Sequence, residues 1–221
     1  MDDFQFNNEL MQLLADVGIA YEQSDIKKVN SNWSYSLIGP MPTKGSPLLI
    51  GINWGGGNNP DEKFHGQRDF GHKDLSKHDL GKLKDVLPYC RDRLGADMTL
   101  RMAQTNYNFF RSPKESDLSA KDFALCEPIF ERLIELVEPE IMVCLSSKLR
   151  DYLLRNRKLE NIEIADNIKS VSRNRSIRVS AIKATFNGIK IVLLPHPGAH
   201  ISSEAREAAW DFCLPKVCKS R

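Results

Sequence analysis

Three segments of the chain carry side chains suited to binding or chemistry, and each follows an apolar run. They are residues 53–59, 106–112 and 196–203. Amides can orient water and read a hydrogen-bonding ligand, and an imidazole can donate or accept a proton. If the preceding apolar runs are neighbouring strands of a parallel sheet, the three segments meet beyond the carboxyl ends of those strands.

The first segment contains three consecutive glycines, Gly55-Gly56-Gly57, directly after the apolar run Leu48–Asn53. Glycines allow a ligand to approach the backbone closely, and successive amides can form a nest for an anion. The pattern is neither a Walker loop nor the spaced glycine motif of dinucleotide binders. It therefore indicates a ligand-binding loop of another kind, with a plain flexible turn as the alternative.

The third segment places His196 between Pro195 and Pro197. Each proline fixes its own φ and restricts the residue before it, so the histidine is held in a defined loop geometry. That geometry suits an imidazole directed at a ligand. A structural or solvated histidine is the alternative.

Helical and strand-like patterns alternate along the chain. We expect helices at 8–20, 79–94, 119–137, 147–154 and from Ser202 or Ser203 through Phe212, and strands at 48–53, 98–106, 140–145, 177–186 and 189–194. The last two strands flank Asn187-Gly188, a hairpin signal. This alternation predicts an α/β fold of three layers, α/β/α, with a mostly parallel central sheet of about four to five strands.

Length and composition favour a single domain over residues 1–221, with residues 1–45 forming an N-terminal helix and loop packed on it. No apolar run approaches the ~20 residues of a membrane-spanning helix, so we expect no membrane association. The acidic start, Met1–Phe4, lacks a signal core, which predicts a cytoplasmic location. We expect a monomer.

The five cysteines form no C-x-x-C pair, and their odd number argues against a disulfide framework. Cys144 lies in an apolar run and is predicted to be a core residue. Cys213 and Cys218 are close in sequence but lack two further ligands for zinc or an iron–sulfur cluster. We therefore expect no metal.

The net charge of +2 does not by itself indicate a nucleic-acid partner, but the charge distribution is uneven. Residues 167–203 contain no acidic side chain and several basic ones, including Arg173 and Arg175. Such a stripe suits a phosphate backbone. A solvated loop followed by a strand with outward-facing basic residues fits it equally well.

Taken together, the three segments resemble the uracil-DNA glycosylase superfamily over roughly residues 45–213. Leu-Leu-Ile-Gly-Ile-Asn (48–53) with its glycine loop is similar to the first motif of the mismatch-specific and single-strand-selective branches, Gly-(Ile/Met)-Asn-Pro-Gly. His-Pro-Gly-Ala-His (196–200) is similar to the second motif, His-Pro-Ser-Pro. Gln-Thr-Asn-Tyr-Asn-Phe-Phe-Arg-Ser-Pro (104–113) resembles the strand end that presents a base-reading asparagine.

This resemblance implies a uracil-DNA glycosylase-like fold and a monofunctional hydrolase that uses water as its nucleophile and no cofactor. Such an enzyme cleaves the N-glycosidic bond of uracil or a related deaminated base after that base is flipped out of DNA. Asn53 matches the residue that positions the attacking water, and His196 matches the donor to the base carbonyl. Asn106 matches the residue that reads the base, and Asn108 is the alternative reader. Asn106 could instead be a turn-forming residue at the end of a strand.

The resemblance also implies contacts for the surrounding residues. Phe70, in a segment similar to the family's phenylalanine segment, is expected to stack on the base ahead of Phe64, and Ile52 and Trp54 are expected to line the base site. The expected DNA contacts are Gly55, Gly56, His200, Ile201, Arg173 and Arg175, with Ile201 as the apolar wedge.

Two departures separate the chain from the family pattern. Trp54 replaces the proline of the first motif, and Gly198-Ala199 replaces Ser-Pro in the second. Two alternative functions therefore remain: a non-catalytic DNA-binding protein of the same fold, and a nucleotide enzyme whose Gly55–Gly57 loop binds a free phosphate.

Overall fold

The apolar runs and helical stripes form a layered α/β structure in the computed structural model, which describes residues 2–55, 59, 61–71, 75–77, 81–156, 158–172 and 175–216. Its helices are α1 (Asp3–Gln23), α2 (Asp25–Val29), α3 (Leu87–Leu94), α4 (Ala96–Leu100), α5 (Ala120–Val137), α6 (Ser147–Arg155) and α7 (Ser203–Cys213). Its strands are β1 (Ile38–Gly39), β2 (Leu48–Gly55), β3 (Ala103–Ser112), β4 (Met142–Cys144), β5 (Glu160–Ser172), β6 (Arg175–Phe186) and β7 (Ile189–Leu193). Short 3-10 turns lie at Leu75–Lys77, Gly81–Val86 and Glu115–Asp117.

The strands form one mixed sheet in the order β1-β3-β2-β4-β7-β6-β5. The central strands β3, β2, β4 and β7 are parallel, whereas β1 at one edge and β6 and β5 at the other run antiparallel to their neighbours. The prediction of four to five mostly parallel strands was therefore wrong. The described residues form seven strands, and the sheet contains both parallel and antiparallel pairs. The parallel part of the sheet is the part that the sequence predicts to carry the site.

Apolar side chains cover both faces of the sheet. Along β2, Leu48 and Ile50 pack in one hydrophobic cluster and Leu49 in another, as the alternation of a strand requires. The first cluster receives α1, α2, α5 and α6, and the second receives α3 and α7. This arrangement confirms the predicted α/β class and is compatible with the predicted α/β/α layering.

Local signals explain the bounds of several elements. Ser119 caps α5 by accepting from the backbone N–H of Asp122, whose carboxylate accepts from the N–H of Ser119 in return. Asn187 and Gly188 both have positive φ, at +49° and +78°, as the predicted hairpin turn between β6 and β7 requires. Cys144 is fully buried, as predicted.

Three predicted elements have different bounds. β2 continues to Gly55 instead of ending at Asn53, so Asn53 lies inside the strand. β3 begins at Ala103 and ends at Ser112 instead of spanning 98–106, because residues 96–100 form α4. The polar run 104–108 therefore lies inside a strand, and Asn106 is not a strand-end residue. The predicted helix 79–94 is α-helical only from Leu87, next to Pro88, which is favoured in the first turn of a helix. Its residues 79 and 80 lie outside the described residues.

β5 was not predicted, since residues 160–172 alternate polar and apolar side chains without a clear buried face. Ile162 and Ile164 are both exposed. None of the described helices is both long and apolar enough to cross a membrane.

Candidate active site beyond the carboxyl ends of β2 and β7

The sheet register places Asn53, near the carboxyl end of β2, and His196, in the loop that follows β7, at the same edge of the sheet. Ile50 of β2 pairs with Cys144 of β4, and Cys144 pairs with Leu193 of β7. Asn53 is three residues beyond Ile50, and His196 is three residues beyond Leu193. Because β2 and β7 are separated only by the short strand β4, the two strands lie about 10 Å apart, which is two inter-strand spacings.

The side-chain amide of Asn53 is held in one orientation. Its Nδ2 donates to the Oγ of Ser112 at 2.8 Å and to the carbonyl oxygen of Trp54 at 2.9 Å, with a longer contact to the carbonyl oxygen of Ser112 at 3.4 Å. Carbonyl oxygens can only accept, so the amide nitrogen must face them. Oδ1 of Asn53 is therefore turned away from Ser112 and is oriented to accept a hydrogen bond.

Ser112 completes this arrangement from the neighbouring strand. It is buried, and its hydroxyl donates to the carbonyl oxygen of Lys114 at 2.7 Å. With its hydrogen used in that bond, the Oγ of Ser112 can only accept from Asn53. Neither Ser112 nor this role was predicted from the sequence, because a serine followed by a proline reads simply as a turn.

Trp54 leans away from the gap between β2 and β7. Its Nε1 donates to the carbonyl oxygen of Ser36, near β1. The guanidinium of Arg111 lies 5.9 Å from the indole ring and donates to the carbonyl oxygen of Gly55 at 2.9 Å. Since β1 and β3 lie on the opposite side of β2 from β7, these contacts keep the indole away from His196.

Asn106 faces the same side of the sheet as Asn53. It pairs with Gly51, two residues before Asn53, and a Cβ atom at Gly51 would overlap Oδ1 of Asn106. Asn106 is 1% exposed, and among the described residues its Nδ2 has no hydrogen-bond partner. A buried amide without partners is costly and therefore calls for an explanation.

The alternative reader, Asn108, has a structural task. Its Oδ1 accepts from the backbone N–H of Phe110 at 3.0 Å, where the register between β2 and β3 shifts. This bond satisfies a backbone donor at the irregularity. The Nδ2 of Asn108 also lacks a hydrogen-bond partner among the described residues, so the two asparagines differ in their oxygens. Because the oxygen of Asn106 is not used in this way, Asn106 is the better placed of the two for reading a ligand.

His196 is exposed, and its loop is tightly organised. Its Nδ1 accepts from the backbone N–H of Gly198 at 3.0 Å. A nitrogen that accepts carries no proton, so the neutral ring carries its proton on Nε2, which becomes a donor. Protonation of the ring would be incompatible with the bond from Gly198.

Arg206 of α7 holds the same loop through its carbonyl oxygens. Its guanidinium donates to His196 at 3.3 Å and to Pro197 and Ala199 at 3.1 Å each. Arg206 was not predicted from the sequence, since an arginine in the first turn of a helix is ordinary on a surface. Its three hydrogen bonds to the loop became visible only in the fold.

The predicted base-stacking residues are more buried than expected. Phe70 is 7% exposed and packs in the first hydrophobic cluster. Phe64 is half-buried, with the guanidinium of Arg111 at 5.2 Å from its ring. The side chain of Ile52 also packs against the first cluster, on the face opposite Asn53.

The predicted DNA contacts are only partly described. Gly55 and His200 are exposed, and Ile201 is half-buried against the second hydrophobic cluster. Gly56 and Arg173 lie outside the described residues, and for Arg175 only the backbone is described. The described residues include no group of histidine, cysteine or acidic side chains that could hold a metal ion.

Comparison with known proteins adds no relative to this picture. No protein-family model matches the chain, and no curated protein matches it significantly.

Proposed function

We propose that the protein is a monofunctional DNA glycosylase that removes uracil or a related deaminated base flipped out of DNA, in base excision repair. One observation carries the proposal: an oriented acceptor near the carboxyl end of β2 and an oriented donor in the loop after β7 lie at the same edge of the sheet. Asn53 presents Oδ1, and His196 presents Nε2–H. The two strands that carry these groups lie about 10 Å apart, with the short strand β4 between them.

The chemistry assigned to these groups is hydrolysis of an N-glycosidic bond. Oδ1 of Asn53 accepts a hydrogen bond from water and directs the oxygen of that water at the sugar carbon. The bond between the sugar carbon and the base nitrogen breaks, and its electron pair leaves with the base. The water oxygen bonds to the carbon, and its proton passes to solvent because an amide cannot take it up. The rate is therefore expected to be modest.

His196 acts on the departing base. Negative charge that collects on the base carbonyl oxygen is stabilised by a donor already fixed at that position. Such a donor is typically worth about 3–4 kcal/mol of transition-state stabilisation. Arg206 supports this role because it donates to the carbonyl oxygens of His196 itself and of Pro197.

Asn106 is assigned to reading the base. The amide NH₂ can donate to O4 of uracil, and the amide oxygen can accept from N3–H of uracil. The same orientation of the amide does not fit cytosine. Its unpartnered Nδ2 fits a group that gains its partner only with a ligand. Because Asn106 is buried, a base can reach its amide only if the residues packed around Asn106 move. The same proposal assigns the layered sheet to the uracil-DNA glycosylase-like architecture.

A non-catalytic DNA-binding role is the second candidate, and the burial of Asn106 favours it. A protein that never admits a base has no need of an open reading site. Such a protein would bind DNA through exposed loops and basic residues while leaving the base in the stack.

Cleavage of oligonucleotides containing uracil, hypoxanthine or xanthine, single- and double-stranded, separates the two candidates. Release of at least one base by wild type, with loss of release in Asn53→Ala, is the expected result. DNA binding without release of any base would leave the non-catalytic candidate and refute the glycosylase.

A further inference from the structure

The hairpin of β5 and β6 extends beyond the carboxyl ends of the parallel strands. The last residue of β7, Leu193, pairs with Ile182 of β6, which pairs with Ile164 of β5. Residues 175–181 of β6 and 165–172 of β5 continue past that level. At about 3.3 Å per residue, this projecting ribbon reaches roughly 20 Å beyond the sheet edge.

The projecting ribbon is attached to the candidate site. The buried hydroxyl of Ser170 accepts from the backbone N–H of Ser202 at 2.8 Å, at the end of the His196 loop. Val179 is buried in the second hydrophobic cluster, with Ile168 packed against it, so one face of the ribbon rests on the layer that contains α7. The ribbon is thus fixed beside the loop that is proposed to act on the base.

The opposite face of the ribbon is basic and exposed. Lys169 and Arg178 are directly paired in the register and both are exposed. Among the described residues neither forms an ion pair, whereas Lys183, closer to the sheet, pairs with Glu163 at 2.6 Å. The acidic residues of β5 end at Asp166, at the root of the ribbon.

We propose that this ribbon is an arm that binds duplex DNA beside the candidate site, with Lys169 and Arg178 on the phosphates. A major groove about 12 Å wide admits a two-stranded β-ribbon, and such a groove exists only in a duplex. Val171, which is 69% exposed beyond the basic pair, supplies an apolar side chain for the groove. The inference rests on the proposed function only in taking DNA as the partner, and it adds the form of DNA and the element that grips it.

The test measures the salt dependence of binding to a labelled duplex that contains no uracil, by fluorescence anisotropy. The double variant Lys169→Ala/Arg178→Ala is compared with wild type and with Lys190→Ala. Lys190 is an exposed lysine of the same acid-free segment but lies near the amino end of β7. Thermal unfolding of each variant checks that the fold is kept.

The expected result is a fall of about 1.8 in the slope of log affinity against log salt, at about 0.9 per lost phosphate contact on B-form DNA. Lys190→Ala should keep the wild-type slope. A single-stranded oligonucleotide of the same sequence should show less than half of the change.

Three results would overturn the inference. They are an unchanged slope in the double variant, an equal change in Lys190→Ala, and an equal change on single-stranded DNA. A shift in sedimentation from dimer to monomer, without a change in DNA binding, would instead make the ribbon a contact between two copies of the chain. Because the duplex contains no uracil, the binding result holds whether or not the protein excises a base, so the two proposals fail separately.

Discussion

Nδ2 of Asn53 donates to Oγ of Ser112 at 2.8 Å, and this bond decides which end of the Asn53 amide faces the gap between β2 and β7. Ser112 can only accept because its own hydrogen is donated to the carbonyl oxygen of Lys114. The acceptor that the proposed reaction needs, Oδ1, is thus oriented before any substrate binds. Preorganisation of this kind lowers the cost of reaching the transition state.

Ser112→Ala should slow excision while leaving DNA affinity near the wild-type value. The variant removes one hydrogen bond to Asn53, worth about 0.5–1.5 kcal/mol, so the single-turnover rate should fall roughly 2- to 10-fold. Ser116→Ala, in the exposed turn after β3, is the matched control and should keep the wild-type rate. An unchanged rate in Ser112→Ala would mean that this bond does not set the position of Asn53.

Gly51→Ala should weaken discrimination among bases. Its Cβ would overlap Oδ1 of Asn106 and displace the proposed reading amide. Ser116→Ala, in the exposed turn after β3, is again the control. The measurement is the ratio of excision rates on uracil and on a second excised base, and a ratio that is equal in Gly51→Ala and wild type would exclude Asn106 as the reader.

Arg206→Ala should loosen the His196 loop, because three carbonyl oxygens lose their donor. Hydrogen exchange over residues 196–201 should become faster and single-turnover excision slower. Arg206→Lys should restore little of either, since a lysine lacks the fork of donors that reaches several carbonyl groups. Arg132→Ala, which removes an exposed ion pair to Asp16, should change neither quantity. Equal exchange in Arg206→Ala and wild type would contradict the assignment.

Glu207 should contribute to the loss of stability in acid. Its hydrogen bond with Arg93, at 2.6 Å, lowers the pKa of the Glu207 carboxyl in the folded protein. A lowered folded pKa gives stability that is present above the unfolded value, about 4.3, and is lost as pH falls through the folded value. Glu207→Gln should therefore flatten the acid dependence of the unfolding midpoint, followed down to about pH 3.5. If the unfolding midpoint of Glu207→Gln depends on pH as that of wild type does, the Glu207 carboxyl does not contribute to the loss of stability in acid.

Sequence patterns predicted the parallel centre of the fold better than its edges. The apolar run 48–50 and the turn Asn187-Gly188 depend on local chemistry, and both were found as predicted. β5 could not be predicted because an edge strand lying partly beyond the sheet has no continuous buried face. β3 was misplaced because its polar residues 104–108 looked like a strand end, although the surrounding layers bury them.

The same limit applies to the candidate site. Asn53 and His196 could be chosen from motif and loop chemistry, whereas Ser112 and Arg206 act through contacts across 59 residues and 10 residues of chain. The first contact depends on the pairing of β2 with β3, and the second on how α7 packs under the loop. Neither is visible until the fold is known.

The most direct test of the proposed function is single-turnover release of uracil from an oligonucleotide by wild type, Asn53→Ala and His196→Ala. Wild type should release uracil, and His196→Ala should be slower by roughly 10²- to 10³-fold, the effect of losing one fixed transition-state donor. Asn53→Ala should also be much slower, with DNA affinity near wild type in both variants. Failure of wild type to release uracil from any strand form, or release at the wild-type rate by either variant, would contradict the account.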